Sequence, residues 1–125
     1  MKKIHSAIIA LLFVTAVSSC KKEKTPPPSL VGKWTLKSVL AKDGATVTLN
    51  YTGVAGDYMD FKTTGSVEMK AGTSLFNFPY TISGSTVTID GDPYQIQTLT
   101  ANAAVLYYTK TTAGVKSEET VTLER

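Results

Sequence analysis

Residues 76–96 read Phe76-Asn77-Phe78-Pro79-Tyr80-Thr81-Ile82-Ser83-Gly84-Ser85-Thr86-Val87-Thr88-Ile89-Asp90-Gly91-Asp92-Pro93-Tyr94-Gln95-Ile96. Phe76, Phe78, Tyr80 and Ile82 recur at every second position, as do Val87 with Ile89 and Tyr94 with Ile96. Period two places one set on a single face of a strand and sends Thr86 and Thr88 to the other. Ser83-Gly84-Ser85 and Asp90-Gly91-Asp92-Pro93 part the runs, each with a glycine where a tight turn needs positive φ. The segment therefore predicts three antiparallel strands joined by two hairpins, apolar on one side. Pro79 has no N–H to give to a ladder, which predicts an edge strand or a bulge there.

The same pattern extends both ways. Strand-like runs cover Lys33 to Leu40, Thr46 to Tyr51, Tyr58 to Lys62, Ser66 to Lys70, Leu75 to Ile82, Thr86 to Asp90, Tyr94 to Leu99, and Ala104 to Lys110 followed by Val115 to Leu123. That is eight runs, or nine if the last pair is separated, with Thr46 to Tyr51 the weakest. Lys42-Asp43-Gly44, Thr64-Gly65-Ser66 and Thr112-Ala113-Gly114 supply further turns. Val67 with Met69 and Val121 with Leu123 continue the inward set, opposite the polar Thr120, Thr122 and Glu124. Nothing after Leu30 has sustained helical periodicity. Short connections favour sequential antiparallel neighbours, and closing such a sheet removes its exposed edges. The fold expected is all-β: one antiparallel up-and-down β-barrel of about eight strands over residues 30–125.

The beginning of the chain has another character. Met1-Lys2-Lys3 precedes the apolar run Ala7 to Val17, and small residues lead to the only cysteine, Val17-Ser18-Ser19-Cys20. From Ile4 to Val17 is 14 residues, short of the ~20 that cross a bilayer as a helix, so the segment reads as a secretory signal. The tetrapeptide resembles the lipobox of bacterial lipoproteins. The resemblance implies cleavage after residue 19, fatty acylation of Cys20 with palmitate-type chains, and a membrane anchor. A secreted protein with one unpaired thiol is otherwise hard to account for. Residues 1–19 are thus the signal peptide and residues 20–29 a Lys- and Pro-rich tether. Thr25-Pro26-Pro27-Pro28-Ser29 favours extended polyproline II, and with its Lys-rich lead spans roughly 25 Å. Lys21 directly after the cysteine is unlike inner-membrane retention signals, and one Glu23 among three lysines is unlike acidic surface-export signals. The expectation is the outer membrane, on its periplasmic face in preference to the cell surface.

Length and charge exclude much else. The 125 residues leave 106 after the signal and 96 from Leu30, enough for one core but not two. The formal charge of +3 belongs to the leader and tether, since from Leu30 onward there are 8 basic and 9 acidic residues. Without a basic face, no nucleic-acid partner is expected.

Leu30-Val31-Gly32-Lys33-Trp34-Thr35-Leu36 opens the first strand. A Gly-x-Trp there, ahead of a hairpin series closing on Thr120-Val121-Thr122-Leu123-Glu124-Arg125, resembles the lipocalin signature, and the layout from Leu30 to Arg125 is similar to short lipocalin-like lipoproteins of Bacteroidota. That resemblance implies a barrel floor built from Gly32 and Trp34, with Arg125 packing across the indole, as structural rather than binding residues. The chain lacks the lipocalin disulfide, a second Thr-Asp-Tyr type motif and the C-terminal helix.

Chemistry is narrowed by absence. With His5 in the leader and Cys20 acylated, the mature domain has neither histidine nor free thiol. Ser-His-Asp and Cys-His schemes, and the usual zinc sites, have no ligands to use. Asp57 with Asp60, and Asp90 with Asp92, could be argued into carboxylate pairs; solvated strand ends and a hairpin turn explain them more simply. No enzyme activity, metal or cofactor is expected. The material for a pocket is aromatic: Leu36, Phe61, Phe76, Phe78, Tyr80, Tyr94 and Ile96 are the candidate lining of a site for a small hydrophobic ligand. The alternative is a barrel filled by its own side chains, acting as an interaction or structural module with an envelope protein partner. Adjacent Tyr107 and Tyr108 must face opposite ways, so one of them marks an outer surface. An interior space of about 300 Å³ or more separates the two readings.

Overall fold

A computed structural model describes residues 27–125. The signal peptide, Cys20 and the first part of the tether, through Pro26, lie outside the described residues.

Nine strands follow: β1 (Gly32–Asp43), β2 (Thr46–Thr52), β3 (Tyr58–Phe61), β4 (Ser66–Ala71), β5 (Ser74–Ser83), β6 (Thr86–Ile89), β7 (Asp92–Leu99), β8 (Ala103–Thr112) and β9 (Val115–Glu124). They form one antiparallel sheet in the order β2-β1-β3-β4-β5-β6-β7-β8-β9, and β1 also pairs with β9. The result is a closed eight-strand barrel with one extra strand. The weak run at Thr46 is that extra strand. β2 pairs with the far half of β1, from Ser38↔Thr52 to Asp43↔Thr46, while β3 pairs with its first half, from Gly32↔Phe61 to Thr35↔Tyr58. β2 and β3 thus share one edge of β1, interrupted by residues 53–57, and the simple succession of neighbours expected from short connections fails at this point. Between Thr52 and Tyr58, residues 53–57 leave the ladder, with Gly53 N–H donating to the Lys37 carbonyl and Leu36 N–H to the Asp57 carbonyl on either side of the excursion.

Both ends of the barrel have definite characters. Gly32, Phe61, Ser66, Ser83, Leu99 and Glu124 end or begin strands at one of them, the floor; the four hairpins β1–β2, β4–β5, β6–β7 and β8–β9 cluster at the other, the mouth. Trp34 is fully buried at the floor and its indole N–H donates to the Leu30 carbonyl at 2.8 Å. The Arg125 guanidinium lies 3.8 Å from the Trp34 ring centroid and donates to the carbonyls of Ser29, Val31 and Ala101 at 2.8, 3.2 and 3.2 Å. Gly32 has φ +119°, and a Cβ on it would stand 3.0 Å from an Arg125 nitrogen. The Gly-x-Trp spacing therefore has a local cause: only glycine takes this backbone while letting the guanidinium approach.

The core consists of fourteen buried apolar residues, all between Leu30 and Leu123. In β1 the inward positions are Trp34 and Leu36, then Val39. The parity changes because Lys37 is an extra residue in the pairing with β9, where the register slips between Leu36 and Ser38. A bulge of this kind bends the strand and lets both halves of a twelve-residue strand point into one barrel.

Three sequence expectations need correction. Pro79 is on neither an edge nor a bulge: the β4 ladder ends at Ser66↔Pro79 and the β6 ladder begins at Tyr80↔Ile89. The proline occupies the handover, where its missing donor leaves no gap, and its carbonyl accepts from Asp90 N at 2.9 Å. Ile82, although on the inward parity, is 40% exposed because β5 runs past the end of the core at the floor turn. Asp57 is not a solvated strand end; it is buried at 2% exposure.

Candidate functional site

At the mouth the barrel is hollow. A cavity of about 370 Å³ opens there, walled by Leu36, Val39, Met59, Met69, Ile89 and Val121, with Leu49, Ala71, Phe76 and Phe78 nearer the rim. Each of these residues stands on the inward face of its strand; Leu36 and Met59, the latter directly across from Trp34, form the deep end of the cavity. Of the seven residues proposed from sequence, Leu36, Phe76, Phe78 and Tyr94 line the cavity. Phe76 is 41% exposed at the rim and its ring is stacked with that of Phe78, centroids 5.8 Å apart and planes 10° from parallel.

Phe61, Tyr80 and Ile96 do not belong to the site. Phe61 is fully buried near the floor and meets Tyr80 edge-on at 5.2 Å, while the Tyr80 hydroxyl donates to the Lys62 carbonyl at 2.6 Å. Ile96 packs against the same lower core. These three have the right parity but the wrong height. Met69, Ile89 and Val121 have both; period two gave their parity, but no signal in the sequence gave their height.

Asp57 holds the mouth together. Its carboxylate accepts from the Tyr51 hydroxyl, from Val54 N at 2.9 Å and from Gly72 N at 2.8 Å. One side chain thereby ties the extra strand β2, the loop after it and the β4–β5 turn. The Tyr51 hydroxyl, followed by the Val54 amide, holds the Asp57 carboxyl below the ordinary carboxylate range, and the same bond raises the Tyr51 phenol. Gly53 completes the hinge: its N–H donates to the Lys37 carbonyl at 2.8 Å, and a Cβ there would collide with the Leu36 carbonyl.

The polar part of the lining is acidic. Asp90, Asp92 and Glu119 reach the cavity, together with the hydroxyl-bearing Tyr51 and Tyr94, and no lysine or arginine among the described residues lines it. The Tyr94 hydroxyl donates to Glu119 Oε1 at 3.0 Å, and burial, with the Glu119 charge behind it, pushes the Tyr94 phenol well up. Tyr108 packs on Tyr94 with ring centroids 5.3 Å apart. Tyr107 points the other way, donating to Glu118 Oε1 at 2.5 Å in an outer groove with Leu40, Lys42 and Thr120, so the two tyrosines do face opposite sides. Asp90 and Asp92 flank the β6–β7 turn, where Asp90 and Gly91 have φ of 51° and 86°, the conformation of a tight hairpin. Asp60, paired with Lys33 and Glu68 across β3, has no carboxylate partner from Asp57. Among the described residues, no three side chains of Asp, Glu, His or Cys come together as a metal-holding group.

The chain matches no family model, no curated protein and no solved structure.

Proposed function

We propose that this chain is a lipocalin-like lipoprotein, anchored to the outer membrane through acylated Cys20, whose barrel binds a small apolar molecule at its mouth without catalysing a reaction on it. The observation that carries the reading is the cavity of about 370 Å³ with a mostly apolar wall, within the ~300–1,000 Å³ range of small-molecule sites. Burying an alkyl or aromatic body there gains roughly 0.8 kcal/mol per methylene removed from water. The filled-barrel alternative describes the floor half, where Trp34, Phe61, Val67 and Leu106 leave no exposed surface, and does not describe the mouth.

The geometry also gives the tether a consequence. Leu30 is buried against the floor, with Trp34 bonded to its carbonyl, so the tether to an acylated Cys20 would join the barrel at its floor end.

Methionine methyl NMR tests the reading on the full chain in zwitterionic lipid nanodiscs. The chain has three methionines, Met1, Met59 and Met69, of which the last two line the cavity. Octan-1-ol should shift the Met59 and Met69 methyls saturably, and Ala71→Trp, which puts an indole into the mouth, should abolish the response. Unmoved Met59 and Met69 methyls in a folded wild-type protein would return the barrel to the filled reading.

A further inference from the structure

Resting on the reading of the mouth as a small-molecule site, we infer that its ligand carries a positive charge: an amphiphile with an alkyl or aromatic body and a protonated amine. The cavity wall supplies the apolar half. The charge follows from what surrounds it.

Asp90, Asp92 and Glu119 border one cavity that no basic side chain among the described residues enters. The three ion pairs of the described residues are Lys37 with Glu124, Lys62 with Glu68 and Lys116 with Glu118, and none of them is at the cavity. Away from the cavity, three buried or half-buried acidic groups have donors of their own: Asp57 has three, Glu68 has Tyr58 and Glu118 has Tyr107. At the mouth, half-buried Glu119 receives only the Tyr94 hydroxyl, on Oε1, while Asp90 and Asp92 are exposed at the rim and no hydrogen bond or ion pair within the described residues reaches their side chains. A carboxylate beside low-dielectric walls concentrates the field into the cavity and favours cations over anions there.

Two further features choose an organic cation. The carboxylates are not gathered into a group able to hold a metal ion, so no chelating geometry competes for them. Aromatic faces at Tyr51, Phe76, Phe78 and Tyr94 line the same space, and ring faces attract an ammonium group as the carboxylates do. An anionic amphiphile such as a fatty acid would meet the opposite: three negative groups at the entrance and, among the described residues, no cation in the lining to pair with.

The test uses three eight-carbon probes of different charge, octylamine, octan-1-ol and octanoate, titrated at neutral pH into the full chain in zwitterionic nanodiscs. Binding is read from the Met59 and Met69 methyls, with free probe concentrations fixed by equilibrium dialysis. Octylamine should bind about tenfold more tightly than octanoate, with octan-1-ol between them, and the gap should shrink as salt is added. The triple substitution Asp90→Asn, Asp92→Asn, Glu119→Gln should bring octylamine down to the level of octan-1-ol. Equal binding of all three probes, tighter binding of octanoate, or a preference that survives the triple substitution would overturn the inference while leaving the cavity reading in place. Silence of the cavity methyls towards every probe would remove the cavity reading itself.

Discussion

Replacing Arg125 by alanine removes the cover of the barrel floor, and the structure allows its cost to be worked out. The guanidinium lies 3.8 Å from the Trp34 ring centroid, a contact worth about 1 kcal/mol for a partly solvated pair. It also donates to three backbone carbonyls, of Ser29, Val31 and Ala101. Because Arg125 is exposed, each of these bonds is set at about 0.5 kcal/mol, the low end for hydrogen bonds. The total is about 2.5 kcal/mol, and for a domain of this size that lowers Tm by about 10–20 °C. Arg125→Lys should recover part of the loss, keeping the charge over the ring but giving up the three-way fork. Thermal melts followed by Trp34 fluorescence supply the assay. Probe binding at the mouth should be unaffected in either variant, because the floor and the cavity are at opposite ends of the barrel. A loss below about 0.5 kcal/mol for the alanine variant would refute the assignment of Arg125 as a floor residue, since it is then no more than an ordinary surface side chain.

Gly53→Ala should displace β2, because the new Cβ meets the Leu36 carbonyl and nothing flexible can yield; hydrogen exchange at residues 46–57 should accelerate while the β8–β9 hairpin stays protected. Asp57→Asn should lower stability at neutral pH. The folded Asp57 pKa lies below its ordinary value, so its contribution is complete above the ordinary carboxylate range and is lost as the pH falls through the lowered value. Melting curves of wild type and Asp57→Asn should therefore converge in acid; a constant separation at every pH would show that the charge is irrelevant there.

The fold was legible because its signals are local. Gly84 with Ser83 and Ser85, and the alternation of Val87 with Ile89, each require only neighbouring residues, and the turns stand where those residues place them. The floor was anticipated through the resemblance of Gly32-Lys33-Trp34 to the lipocalin signature, since no local pattern joins Arg125 to the distant Trp34. The mouth was not. Whether Phe61 or Met69 lines a cavity depends on height along the barrel, and height is set by closure of β1 on β9, a pairing between residues such as Leu36 and Leu123. Asp57 illustrates the limit: its three donors come from Tyr51, Val54 and Gly72, and nothing in the spacing of these residues announces that they meet.

The central claim, that the open end of this barrel carries a small apolar molecule, is tested most directly by native mass spectrometry of the protein purified from its own host without denaturation. A reproducible extra mass is expected, beyond any acyl chains joined to Cys20, that organic extraction removes. A bare polypeptide mass before and after extraction, together with cavity methyls that respond to no probe, would contradict it.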